Sequence, residues 1–233
     1  MVVGKKAGTC SITGMVNNQK TSCAITVTGS TLPQGWSYDE LNAPPIPGAV
    51  LVSGTRFTLT GCGHAMTSFW ERVRDQGVFA SKPVTGETEL TAQLTNLAPD
   101  VGGRSYQGDN RPPTASGLMI RESLSEAAGR YFLVQVEASG NVVCRWRSSK
   151  VGDQDDKEIK QLGKMPLPTH LKLRKKADEI QVFTSTDAKD WGEPRLTYSA
   201  TFGGESRIGL FVCSGNPVAS STATFENVVI SSW

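Results

Sequence analysis

The chain holds two histidines in 233 residues, and its five cysteines include no Cys-x-x-Cys pair and none near histidine at metal-ligand spacing. Imidazole chemistry has little material, and no zinc site is expected. No window approaches the roughly 18 unbroken apolar residues of a membrane span, and Met1-Val2-Val3-Gly4-Lys5-Lys6 lacks the apolar stretch of a signal peptide. Asn-x-Ser/Thr sequons, a Gly-x-Ser-x-Gly elbow and the Glu-x-Asp-x-Glu string of jelly-roll glycosidases are all missing. Net charge is nearly absent too: 24 Lys+Arg against 22 Asp+Glu leave +2, too weak a field to expect a nucleic-acid partner. Helical periodicity is almost nowhere to be found.

What remains is globular: 38% hydrophobic residues and 24 glycines, at the upper size of a single β domain. A chain of this length buries roughly 70% of its unfolded surface, so it needs neither disulfides nor a metal to fold. Val-, Thr-, Ile- and Phe-rich stretches alternate with period two between turn residues. They predict strands at 9–13, 23–28, 50–52, 56–60, 69–73, 78–82, 87–94, 116–122, 131–137, 142–147, 170–175, 179–184, 195–200, 207–213 and 223–231. That many strands imply two packed sheets. Short turns such as Ser139-Gly140-Asn141 and Lys176-Ala177-Asp178 imply hairpins and largely antiparallel pairing. Residues 99–114 and 148–168 read as long loops.

Pro33, Pro44, Pro45 and Pro47 interrupt any strand pattern after residue 30, which places a boundary near residue 32. Residues 1–32 read as a β-hairpin extension turning near Asn17-Asn18, and 33–233 as the sandwich. Such a hairpin brings Cys10 and Cys23 nearly opposite; a disulfide and a pair of free thiols are both open readings.

A series of signatures runs in order between residues 54 and 230: Phe69-Trp70-Glu71, Asp75-Gln76-Gly77-Val78-Phe79, Gly86-Glu87-Thr88-Glu89-Leu90-Thr91-Ala92, Ala115-Ser116-Gly117-Leu118-Met119-Ile120-Arg121-Glu122-Ser123-Leu124, Val142-Val143-Cys144-Arg145-Trp146-Arg147, Ile208-Gly209-Leu210-Phe211-Val212 and Ala223-Thr224-Phe225-Glu226-Asn227-Val228. This order resembles the bacterial concanavalin A-like, laminin-G-like jelly-roll domains of large secreted or surface proteins. The resemblance implies an all-β, two-sheet antiparallel jelly roll whose concave face or edge loops hold carbohydrate, as a non-catalytic accessory module. It implies an extracellular or cell-surface setting, although the missing signal segment and odd cysteine count point the other way. Fold does not choose among lectins, glycosidases and adhesion modules.

Candidate ligand contacts come from the alternation. Met119 and Arg121 share one face of a strand and Leu118 and Ile120 the other, so Arg121 needs a partner: a salt bridge or carbonyl cluster, or a ligand. Arg145 and Arg147 share a face opposite Cys144 and Trp146, an aromatic–cation neighbourhood suited to sugar stacking and hydroxyl binding. Trp146, Arg147, Arg121, Tyr131 and Trp70 are therefore the residues expected to contact a polysaccharide or glycan. Ser185-Thr186-Asp187-Ala188-Lys189-Asp190-Trp191 resembles an Asp-box turn without its usual glycine, a structural role.

Catalysis has weaker support. Glu87 and Glu89 read as a solvated face, and Gly61-Cys62-Gly63-His64 as a glycine-rich turn rather than a nucleophile–base pair. No catalytic residue is assigned. No cofactor is expected, save a calcium ion as a weak candidate at Asp153, Asp155, Asp156 and Glu158 or at Asp100 and Asp109. The alternative to a carbohydrate module is a self-associating subunit of an extracellular fibre or surface layer, joined through strand edges and the N-terminal hairpin; a glycoside hydrolase ranks last.

Overall fold

The structure is a computed structural model that describes residues 8–17, 19–27, 32–63, 65–69, 72–99, 113–124, 129–147, 158–200, 202 and 206–233. Among these lie seventeen strands: β1 (Gly8–Val16), β2 (Gln19–Val27), β3 (Ser37–Leu41), β4 (Ala49–Ser53), β5 (Arg56–Gly63), β6 (Ala65–Phe69), β7 (Arg72–Val84), β8 (Thr88–Pro99), β9 (Ala115–Arg121), β10 (Tyr131–Glu137), β11 (Asn141–Arg147), β12 (Glu158–Lys164), β13 (Thr169–Lys175), β14 (Glu179–Ser185), β15 (Leu196–Ser199), β16 (Ser206–Cys213) and β17 (Asn216–Ser232).

In the first large sheet the order is β12-β11-β10-β9-β16-β7-β3, with β6 pairing the opening residues of β7; in the second it is β15-β14-β13-β8-β17-β5-β4. Pairing among the described strands is antiparallel throughout. Neighbours remote in sequence, such as β9 beside β16 and β8 beside β17, mark crossings between layers. The result is the antiparallel jelly-roll sandwich expected from the sequence.

Alternation explains the core. Leu118 and Ile120 of β9, Phe132 and Val134 of β10, and Ile208 and Leu210 of β16 face inward from the first sheet. They meet Leu90 and Leu94 of β8, Leu171 and Leu173 of β13, and Phe225 of β17 from the second. Gly117 and Gly209 sit in central strands where an added Cβ would lie 2.0 Å from the carbonyl oxygens of Val134 and Ala80. No side chain fits there, which accounts for glycine within two otherwise apolar strands.

Departures from expectation fall on edges. β3 and β12 are edge strands of the first sheet and lie in segments whose sequence reads as boundary or loop. With one neighbour and mostly exposed side chains, β12 has no alternating apolar signal to detect. Cys62 lies inside β5 rather than in a turn, because Gly61 and Gly63 on either side let the strand approach Val212 and Gln76 closely. His64 lies outside the described residues, as do the candidate calcium loops around 100–109 and 153–156.

β1 and β2 form a two-stranded sheet of their own, with Val16 opposite Gln19 and the turn beginning at Asn17 as expected. Register places Cys10 opposite Ile25 and Cys23 opposite Ile12. The two cysteines are thus diagonal neighbours, about 7–8 Å apart against the roughly 4.4–6.8 Å of a disulfide, and Cys23 is a free thiol.

Cys62, Cys144 and Cys213 are buried free thiols, and burial pushes Cys144 and Cys213 up to about 12 and Cys62 upward as well. Since the thiolate is the nucleophile, a maleimide at pH 8 is expected to modify exposed Cys23 in the folded protein and to reach these three only in denaturant. Peptide mapping by mass spectrometry checks this; native labelling of Cys144 or Cys213 would contradict their placement.

Candidate functional site

The central strands of the first sheet are buried on both faces. One faces the second sheet; the outer face carries a second apolar cluster that includes Phe79, Met119, Leu133 and Phe211. Register arranges this outer face in rows across β16, β9, β10 and β11. Arg207, Arg121, Tyr131 and Arg147 stand side by side, followed by Gly209, Met119, Leu133 and Arg145. Next come Phe211, Gly117, Gln135 and Val143, and then Cys213, Ala115 and Glu137.

Gly77 of β7 pairs with Leu41 and stands level with the last of these rows. Asp75, two residues earlier, nevertheless bonds both Arg121 and Arg147 of the first row, which along the strands is about 20 Å away. Two residues span at most about 7 Å. The opening residues of β7, which pair with β6, carry Asp75 over the outer face, and both arginines reach along the sheet to meet it. The Asn42 amide holds this segment by donating to the Asp75 carbonyl at 2.9 Å.

The resulting contact is a carboxylate held by two guanidiniums. Arg147 forks onto it, Nη1 at 2.9 Å from Oδ2 and Nη2 at 2.7 Å from Oδ1, while Arg121 Nη1 donates to Oδ2 at 2.7 Å. Arg121 Nε also donates to the Ser123 carbonyl at 2.5 Å, and Arg147 Nη1 to that of Gly129 at 3.1 Å. The Tyr131 ring lies 4.8 Å from the Arg147 guanidinium carbon, and burial, then the charge of Asp75, raises its phenol above the ordinary value. Side-chain exposure is 1% for Arg121, 4% for Arg147 and 0% for Asp75.

The structure thus brings together three of the residues singled out from sequence, Arg121, Arg147 and Tyr131. Trp146 faces the other way, into the core between the sheets. Its ring stacks on Phe132 at 5.7 Å and meets Tyr198 at 4.8 Å, so as placed it offers no platform on the outer face. Trp70 lies outside the described residues. In the sequence Asp75 stands only within the Asp75-Gln76-Gly77-Val78-Phe79 signature; the signal that points to it is the demand of a strand-borne arginine for a carboxylate. The bridge forms within one layer, not between the two.

Farther along the same face, Gln135, Glu137 and Arg145 form a second polar group. Glu137 Oε1 accepts from Gln135 Nε2 at 3.3 Å and stands 3.6 Å from Arg145 Nη2; Oε2 accepts from Asn141 at 3.2 Å and Ser139 at 3.5 Å. Among the described residues no cluster of His, Cys, Asp and Glu is able to hold a metal ion.

The outer face of the second sheet is built differently. Lys172 lies over Trp191 (4.3 Å) and Phe183 (5.5 Å), and Arg174 over Phe183 (5.0 Å) and Trp233 (5.4 Å), an interleaved ladder of cations and rings. Glu89 pairs with both cations and Glu87 accepts from the Trp233 indole, so neither is simply solvated. Ser185–Trp191 closes as an Asp-box would. Asp187 Oδ1 accepts from the amides of Lys189 and Asp190, which hold its carboxyl below the usual value, and Ser185 Oγ accepts from those of Asp187 and Ala188.

No family model matches the chain, and no curated protein matches its sequence. Solved structures match its fold. A functionally unknown protein from Saccharomyces cerevisiae aligns over 85% of this chain and 97% of its own at a TM-score of 0.59 and 13% identity. A legume lectin-like domain from Entamoeba histolytica aligns over 84% and 90% at 0.52 and 10%. The GH43 protein BlXynB from Bacillus licheniformis, in a mutant form, aligns over 88% of this chain but 38% of its own at 0.53 and 14%. The lectin-like match agrees with a concanavalin A-like sandwich; identities this low carry the fold alone.

Three stability outcomes follow from the placements. Asp75→Asn removes the countercharge shared by two buried guanidiniums and is expected to cost about 3–5 kcal/mol in urea unfolding, with Arg147→Lys, which loses one arm of the fork, costing less. Trp146→Ala empties a core site and is expected to cost about 3–5 kcal/mol. An Asp75→Asn protein as stable as the parent would refute the buried triad.

Proposed function

We propose that this chain is a non-catalytic carbohydrate-binding module of an extracellular or cell-surface protein, with its ligand surface at the solvent-reaching margin of the first sheet's outer face. The observation that carries this reading is the placement of Arg145 at that margin beside Gln135 and Glu137, while Arg121 and Arg147 are buried and committed to Asp75. Guanidinium forks and amides bind hydroxyls, and rings pack against sugar C–H faces. Arg145, 15% exposed, is where this set meets solvent. Trp146 contributes from beneath, by holding β11 in the core.

The carboxylates of this face argue for binding rather than cleavage. Glycosidic hydrolysis uses two carboxyl groups about 5 to 9.5 Å apart, each free to exchange a proton with substrate or water. Both oxygens of Asp75 are taken by guanidiniums, and both oxygens of Glu137 accept from neighbouring side chains.

A second reading, a self-associating assembly subunit, draws on the β1–β2 hairpin. It pairs from Gly8 opposite Val27 to Val16 opposite Gln19 as a two-stranded sheet of its own, and such a sheet gains stability from a further strand or layer.

Wild-type protein on a glycan and polysaccharide panel, followed by calorimetry, is expected to show saturable binding to one glycan class with Kd in about the μM–mM range and no release of reducing sugar. Absence of binding, together with concentration-dependent oligomers in light scattering that vanish on deleting residues 1–32, would replace this reading with the second.

A further inference from the structure

The Phe225-Glu226-Asn227-Val228 motif of β17 forms a bulge. Pairing with β8 passes from Glu226 opposite Gln93 to Val229 opposite Thr91, so Asn227 and Val228 together face Ala92. Asn227 takes a left-handed backbone, φ 53°, and the Val228 amide donates to the Thr55 carbonyl in the β4–β5 turn. Phe225 and Val228 enter the core, while the two residues between them both reach solvent. Bulges re-aim side chains in this way and are over-represented beside functional sites.

The re-aimed residues join a polar row on the second sheet's outer face. Ala92, Leu94 and Leu171 point inward, so Gln93 of β8 and His170 of β13 point outward, directly opposite each other. Gln93 also stands opposite Glu226, which lies 3.8 Å from Arg56 of β5. Four neighbouring strands present Arg56, Glu226, Gln93 and His170 in one line, about 14 Å long at the usual strand spacing. This row is open to solvent: Arg56 is 59% and Glu226 40% exposed, and Gln93 and His170 are half-buried. Among the described residues the side chains of Gln93, Asn227 and His170 have no hydrogen-bond partner. Apolar surface borders the row, with Trp191 edge-on to His170 at 6.5 Å and half-exposed Val229 beside Thr91.

We propose that this row is a second saccharide-contact surface, on the opposite side of the sandwich from Arg145, for an extended neutral chain. It rests on the carbohydrate-binding reading and adds a second binding face to it. Amide and imidazole side chains offer both donors and acceptors, as successive sugar hydroxyls require, and Trp191 and Val229 cover C–H faces. Charge sets the class: Arg56 is already matched by Glu226, which leaves no unmatched guanidinium in the row for a uronate or sulfate.

The test titrates wild type, Gln93→Ala, His170→Ala and Arg145→Gln by calorimetry with hexasaccharides of mannan, xylan and mixed-linkage glucan, and of alginate as the acidic probe. The indole N–H signal of Trp191, assigned with Trp191→Phe, is followed by NMR during the same titrations. Wild type is expected to bind at least one neutral hexasaccharide and not the acidic one, with the Trp191 signal shifting. Gln93→Ala and His170→Ala are each expected to weaken binding at the row about threefold to tenfold and to abolish most of that shift at equal ligand, with melting temperatures within about 2 °C of wild type because both positions reach solvent. In Arg145→Gln the Trp191 shift is expected to persist. A neutral glycan that binds all four proteins, or fails only with Arg145→Gln, while Trp191 stays unmoved would overturn the second surface and leave the module reading intact. Preference for the alginate hexasaccharide would overturn the neutral assignment, and a wild type that binds no glycan would overturn both. Should an alanine variant melt far below wild type, the Trp191 signal of the wild-type protein decides.

Discussion

Much of the first sheet depends on a carboxylate placed where three strands' worth of chain must agree on its position. Asp75 stands at the start of β7, Arg121 at the end of β9 and Arg147 at the end of β11, and the contact is made with these side chains almost wholly out of water. Desolvating such groups costs several kcal/mol each, and their attraction recovers that cost only when geometry is good and the remaining donors find partners. The bidentate fork from Arg147 and the carbonyls of Ser123 and Gly129 meet both conditions. The opening segment of β7 is thus tied to the ends of β9 and β11.

The two sheets solve the same problem by different chemistry. Each sheet of a sandwich has one face for the shared core and one that must be made compatible with its surroundings. The first sheet's outer face is buried and fills its depth with Phe79, Met119, Leu133 and Phe211, reserving its polar groups for the Asp75 and Glu137 clusters. The second sheet's outer face meets solvent across a ladder of Trp191, Lys172, Phe183, Arg174 and Trp233, in which aliphatic stems cover rings while Glu89 balances both charges. The ladder is satisfied within itself.

How legible each element was depended on how many neighbours it has. β8, β9, β10, β13 and β16 are central, so strict alternation between a core face and another face shows in their residues. β3 and β12 answer to one neighbour and mostly to solvent; sequences such as Glu158-Ile159-Lys160-Gln161-Leu162 impose no period. Of the site, Arg121 and Arg147 stood out because a guanidinium in an apolar strand needs explaining. Gln135 did not, since a single amide in a strand raises no demand until its surroundings are known.

Period-two patterning, turn residues at hairpin positions and glycines in apolar strands specified an antiparallel two-layer sandwich and the face on which each strand residue falls, because alternation is a local property of the backbone. Which strands became neighbours was beyond local reach. Only tertiary structure set β9 beside β16, turned Trp146 toward Phe132 and Tyr198, and brought Asp75 back over the sheet onto arginines 46 and 72 residues away. Those outcomes are fixed by long-range register and by the need of buried charges for partners, quantities that no window of sequence contains.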